Sequence, residues 1–209
     1  ASFGGSLKNA PPALQALLMF PYVSGLKFAH ALLLENGFSS LDDALKNPPQ
    51  GTSEILHPEK YFRRLKSKTQ SKRLLCDKKP LPLEPEYQIE YEDILGEFGI
   101  SSFLIGNNKS KDAATIAMPW VDDKVCLYQK PNKKILKRYL YWEHIWENSK
   151  GRDLFLDTIT NIFNERFPEK KIEIGSKIEL GGENIKSIQI ERIGSDKSRT
   201  SFLLEHQSK

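Results

Sequence analysis

The run KVCLYQ (Lys124–Gln129), followed by ILKRYLYWEHIW (Ile135–Trp146), decides the fold class. Both pieces are rich in β-branched and aromatic residues, and Pro131-Asn132 between them reads as a hairpin turn. In the second piece Leu140, Trp142, His144 and Trp146 share one face, and Tyr139, Tyr141 and Ile145 share the other. A strand apolar on both sides is expected to be covered on both sides. A helix over about 150–166 follows, with Phe155, Ile159, Ile162 and Phe163 on one stripe. After Pro168, short strands are expected at Lys171–Ile174, Lys177–Leu180, Ile188–Ile193 and Ser201–Leu204, punctuated by Gly181-Gly182 and Gly194-Ser195.

Upstream of Pro119 the pattern is helical. Pro11-Pro12 opens an apolar block in which Leu14, Leu17 and Leu18 share a face. Pro21 is expected to bend or break this helix, because it has no N–H and clashes with the preceding turn. A second run carries Val23, Leu26, Ala29, His30 and Leu33 to a stop at Asn36-Gly37. Pro21, Gly25, Lys27 and His30 interrupt the apolar stretch, which argues for a buried helix pair and against a membrane span. Ser40 begins a short helix that ends at Asn47-Pro48-Pro49. Thr52 reads as the cap of the next one, limited by Pro58. Residues 66–88 read as a connection, 92–105 as a helix and 110–118 as another, capped by Ser110. The whole is α+β: a mainly helical region 1–118, then an αβ region 119–209 with a mainly antiparallel sheet and one packed helix.

Length and composition set outer bounds. At 209 residues the chain fits one large domain or two small ones, and needs no metal or disulfide to complete a core. Apolar residues make up 39% and charged ones 28%, which excludes wholesale disorder, collagen and a disulfide scaffold. The net charge of +4 points weakly at best to a polyanionic partner. Cys76 and Cys126 either form one bridge or stay as two thiols, so the redox compartment stays open. Residue 1 is Ala with no basic-then-apolar leader behind it, and the chain reads as a processed form or a fragment.

Motifs that carry chemistry are sparse. HExxH, paired zinc-spaced cysteines, the G-x-S-x-G elbow, the Walker loop and G-x-G-x-x-G do not occur. The chain by itself is therefore expected to hold no metal or cofactor. Nine basic residues fall within 60–79, and Lys66, Lys68, Lys72 and Arg73 are the candidate anionic-ligand patch. Nucleic-acid modules add a fold signal that is missing here, so nucleic acid is not the expected partner.

One local pattern is denser. Gly51-Thr-Ser-Glu-Ile-Leu-His-Pro-Glu-Lys-Tyr61 follows Phe20-Pro-Tyr-Val-Ser-Gly25 and Asn47-Pro-Pro49. Asp93-Ile-Leu-Gly-Glu-Phe-Gly99, Asp112-Ala-Ala114 and Trp120 with Asp122-Asp123 come later, then Trp142, Trp146 and Asp153. Together these resemble the C-terminal half of a poorly characterised bacterial family of zinc-metallopeptidase-like, gluzincin-like proteins, over roughly residues 11–165. The family reads "FPY..G..F", "PP.STEQILHPEKY", "LGE.G" and "AA.GWGGD". This chain lacks one residue of "STEQ" and has Met118-Pro-Trp-Val-Asp122 in place of the glycine-rich turn.

The resemblance implies that the catalytic HExxH, whose Glu would serve as general base on zinc-bound water, belongs to a preceding half. It implies a non-catalytic region that packs against that helical half and forms one wall of a cleft for a peptide substrate. Zinc would belong to the longer parent, and whether the parent is an enzyme stays open. An exposed apolar surface around 12–34, covered by another copy or chain, is then expected. His57 and Tyr61 become candidates for stabilising an oxyanion, against a bland reading in which they lock the local fold against Phe20-Pro21-Tyr22. An extracytoplasmic location, whether periplasmic, envelope or secreted, also follows from the resemblance. The alternative is an independent cell-envelope or secreted binding or scaffold module without enzymatic activity.

Overall fold

The computed structural model describes residues 9–67, 73–78, 83, 86–109, 111–130, 135–181 and 184–207. The class is α+β. A long N-terminal helix and further helices accompany a six-stranded antiparallel sheet. The chain divides into two compact units, one from residues 1–72 and 96–118 and the other from 73–95 and 119–209.

The first unit is helical. Helix α1 spans Pro12–Lys46 and runs through Pro21 without a break, so the expected buried helix pair is one helix instead. Pro21 lies on an exposed side, where its ring meets solvent, and the Leu- and Ala-rich turns around it carry the helix across the missing hydrogen bond. The expected stop is present as a backbone break: Asn36 has φ −155° and ψ 39°, and Gly37 has φ 60° and ψ −150°. That second conformation is open to glycine and strained for any other residue. Within α1 Phe28 and Leu32 are buried and most other apolar side chains are exposed. By length and composition alone, α1 suffices to cross a membrane.

Helices α2 (Thr52–Leu56) and α3 (Pro58–Ser67) meet at His57. A residue before proline is excluded from the helical region, and Pro58 is suited to a first helical position. His57 accordingly has φ −128° and ψ 80°, ending one helix and starting the next. Helices α4 (Gly96–Gly106) and α5 (Ala113–Ala117) complete the unit. The helix expected over 92–105 thus begins later, and Ser110, its expected successor's cap, lies outside the described residues.

In the second unit the strands are β1 (Gln88–Asp93), β2 (Trp120–Lys130), β3 (Ile135–Trp146), β4 (Lys177–Glu179), β5 (Ile185–Ile193) and β6 (Lys197–Gln207). Their order is β1-β2-β3-β6-β5-β4, every pair antiparallel. Strands β2 and β3 pair from Trp120↔Trp146 to Lys130↔Lys137, the hairpin expected from the sequence, though Pro131-Asn132 falls outside the described residues. Helix α6 (Ser149–Arg166) lays Phe155, Leu156 and Ile159, each fully buried, on one sheet face against Trp142 and Trp146.

The other face carries Tyr87, Tyr128, Tyr141 and the Cys76–Cys126 disulfide, whose Cα atoms are 5.7 Å apart. Both faces of β3 are therefore covered. Lys171–Ile174 is not a strand. The Asn164 side chain takes the place of a neighbouring strand, accepting from Ile172 N at 2.8 Å and donating to Ile172 O at 3.0 Å.

Candidate functional site

The segment 51–61 and the start of α4 come together in the first unit. Gly96 opens α4 at φ +71°, and a Cβ there would fall 2.4 Å from Thr52 Oγ1. The absence of that Cβ lets Thr52 reach the helix end, where its hydroxyl accepts from Phe98 N at 3.1 Å. Thr52 thus caps α4 and not its own helix, whose N-cap is Gly51 without a side-chain bond. The cap is tertiary, which helix-start spacing cannot reveal.

Next to it lies Glu97, its side chain 6% exposed in the first turn of α4, where the helix dipole favours a carboxylate. His57 Nε2 sits 2.7 Å from Glu97 Oε1. A carboxylate oxygen accepts, so Nε2–H donates to it and this bond fixes the orientation of the ring. Nδ1 lies 3.8 Å from Glu59 Oε1, and the His57 side chain is 27% exposed. Lys60 Nζ approaches Glu97 Oε2 to 3.8 Å and donates to Ser53 Oγ at 3.1 Å. Glu97 Oε2 accepts no hydrogen bond among the described residues.

Tyr61 is 1% exposed, and its hydroxyl donates to Asn47 O at 3.0 Å. Its ring meets Phe28 edge-on at 5.2 Å, away from Phe20-Pro21-Tyr22, and burial pushes its pKa up. Phe20 stacks instead on Phe98 at 4.0 Å. Arg64 grips Glu54 with two bonds of 2.6 and 3.0 Å, and Glu54 also accepts from Gln50 N at 2.8 Å. The segment 51–61 is thereby fixed on two sides, by α4 and by the 47–50 loop, with His57 and Lys60 each 27% exposed over the buried Glu97.

The basic candidates separate. Lys66 is exposed near the end of α3, whereas Lys68 and Lys72 lie outside the described residues. Arg73 belongs to the second unit, where Nη1 donates to Asp122 Oδ1 at 3.0 Å. The Trp and Asp residues of that unit have a structural account as well. Asp123, fully buried, accepts from Trp120 Nε1 at 2.9 Å, Trp142 Nε1 at 3.0 Å and Leu95 N at 3.1 Å.

His144 is also fully buried there, ringed by Trp142, Trp146 and Phe155. Trp146 Nε1 donates to Ser198 Oγ at 3.1 Å, and that hydroxyl lies 3.3 Å from His144 Nδ1. Burial pulls the His144 pKa down to about 3, opposed by its hydrogen-bonding interaction with the Ser198 backbone. This ring is a neutral core group.

Glu97 is the site residue that sequence reasoning missed. Its only signal was an acid directly after the glycine in Leu95-Gly-Glu-Phe98. Among the described residues no group of three His, Cys, Asp or Glu side chains is arranged to hold a metal ion. Comparison with family models, with curated proteins and with solved structures finds no match to the chain.

Proposed function

We propose that this chain is the non-catalytic C-terminal region of a zinc-metallopeptidase-like bacterial protein. It packs against a preceding helical, zinc-binding half and forms one wall of the peptide cleft. The observation that carries the reading is the face of α1. Leu18, Tyr22 and Leu26 recur every four residues, flanked by Met19, Val23 and Leu33, and Tyr22 and Leu26 are 73% and 71% exposed. Burying a large apolar side chain contributes roughly 1.5–3 kcal/mol, and a contiguous apolar face of this kind marks an interaction surface.

His57 supports the cleft-wall role, because Glu97 orients its ring through Nε2 and Nδ1 faces the exposed Glu59 side chain at 3.8 Å. Any metal ligands would come from the preceding half, since the described residues offer no set that fits zinc. The Cys76–Cys126 bridge supports an extracytoplasmic setting, whether periplasm, envelope or medium.

The test is intact mass and zinc content of the full product of the source gene. A longer chain with about one zinc per molecule, split by Leu26→Lys into separable halves after limited proteolysis, is the expected result. A product that begins at Ala1 and carries no metal overturns the reading.

The alternative, an independent cell-envelope or secreted binding or scaffold module, draws support from the same helix. Its apolar length suits a bilayer as an anchor. Flotation of the 209-residue chain with liposomes would favour that alternative.

A further inference from the structure

The break in α1 does more than change the helix direction. Around it, Leu32, Phe62 and Leu65, with the buried ring of Tyr61, floor an open cavity of about 290 Å³ in the first unit. Its rim carries Glu35 and Asp43, one from each side of the break, and Lys66 from α3. The carboxylates of Glu35 and Asp43 are exposed and make no hydrogen bond or ion pair among the described residues. Gly37 holds the break in a conformation open to glycine and strained for other residues.

The volume lies at the small end for ligand pockets, which suits one side chain and not a drug-sized molecule. An apolar floor under a carboxylate rim matches a side chain with a hydrocarbon stem and a cationic head. Lys and Arg bury their stems in this way while the head stays at the surface.

We infer that this cavity is a binding site for a Lys or Arg side chain presented by a peptide. The stem lies on Leu32, Phe62 and Leu65, and the cation is held at Glu35 and Asp43. The inference stands apart from the docking of the Leu18–Leu26 face and from any role of His57, because its residues are neither on that face nor bonded to His57.

The experiment is an NMR titration of the full 209-residue chain with the capped pentapeptide Ac-Gly-Gly-Lys-Gly-Gly-amide. Analogues carrying norleucine or Glu at the centre, and n-butylamine alone, serve as controls. Saturable shifts of the Leu32, Phe62 and Leu65 signals are expected with the Lys peptide. Binding should be about tenfold or more weaker for norleucine, and weakened similarly by Glu35→Gln with Asp43→Asn, because each change removes a charge-assisted contact. Lys66→Glu should tighten it. These are surface substitutions, and an unchanged melting temperature shows that the fold is kept.

No saturable shift, equal binding of norleucine, or indifference to the Glu35 and Asp43 changes overturns the inference. n-Butylamine binding as tightly as the peptide also overturns it, since the site would then recognise a free amine.

Discussion

His57 and His144 set the two units side by side as chemical environments. Each ring has one nitrogen near a named partner: the Glu97 carboxylate for His57, the Ser198 hydroxyl for His144. The rest differs. His57 sits at a corner forced by Pro58, 27% exposed, with Nδ1 3.8 Å from Glu59. His144 is sealed between tryptophans and Phe155, and Nε2 has no hydrogen-bond partner among the described residues. The second unit has thus used His144 to fill a core. The first keeps His57 partly exposed and the long face of α1 at the surface. A residue type in a strand or helix pattern says little about chemistry until burial is known.

The largest expected effect comes from His144. Its folded pKa lies near 3 because burial disfavours the charged ring, against about 6.5 in the unfolded chain. The unfolded state therefore binds the extra proton first. The stability contributed by the neutral ring is complete above about pH 6.5 and falls away as pH drops toward 3, at up to ~1.4 kcal/mol per pH unit. Urea unfolding between pH 7 and 4.5 should show this slope, and His144→Phe should flatten it. A slope that survives the substitution would break the contrast between the two histidines.

Opening the disulfide should come next. Cys76→Ser with Cys126→Ser removes a cross-link across 50 residues of sequence, and a loss of about 2–4 kcal/mol is expected in thermal melts. The effect should fall on the second unit, leaving the Tyr61 environment unchanged in the same melt.

In the first unit the junction of α2 and α4 is the most sensitive point. Gly96→Ala places a methyl on Thr52 Oγ1 and forces a positive φ on alanine, for a cost of about 1–3 kcal/mol. Thr52→Ala, which only loses the cap, should cost about 1 kcal/mol. Equal costs would mean that the close approach at Gly96 is unimportant.

The smallest effect sharpens the comparison most. Leu26→Lys on the exposed face of α1 should change the stability of the 209-residue chain by no more than about 0.5 kcal/mol. The change is absorbed because that face is exposed among the described residues of the first unit. A loss of several kcal/mol would show that the face is already buried.

Legibility in the sequence followed how far local pattern and tertiary contact agree. The β2–β3 hairpin and α6 were readable because their apolar periods match the faces they bury. Strand β1 was not, although Ile89 and Tyr91 alternate with Gln88, Glu90 and Glu92, because the run is short, lies among prolines and charges, and forms an exposed sheet edge. Pro21 is the contrary case: the helix-forming turns on either side carry α1 across its missing hydrogen bond, which the residue alone does not signal. At the candidate site, His57 and Tyr61 stood out from their motif, yet their partners, Glu97 and Asn47, lie 40 and 14 residues away. Glu97 in particular falls inside the helix read over 92–105, and only the fold places it in a first turn beside His57.

The central claim is that the apolar face of α1 is built to be covered by a preceding half of the same protein. Hydroxyl-radical footprinting tests it directly, because Met19 and Tyr22 on that face are both exposed and oxidisable. In the dilute 209-residue chain both should be modified rapidly, and in the full product of the source gene both should be strongly protected. Equal modification in the two proteins would contradict the account.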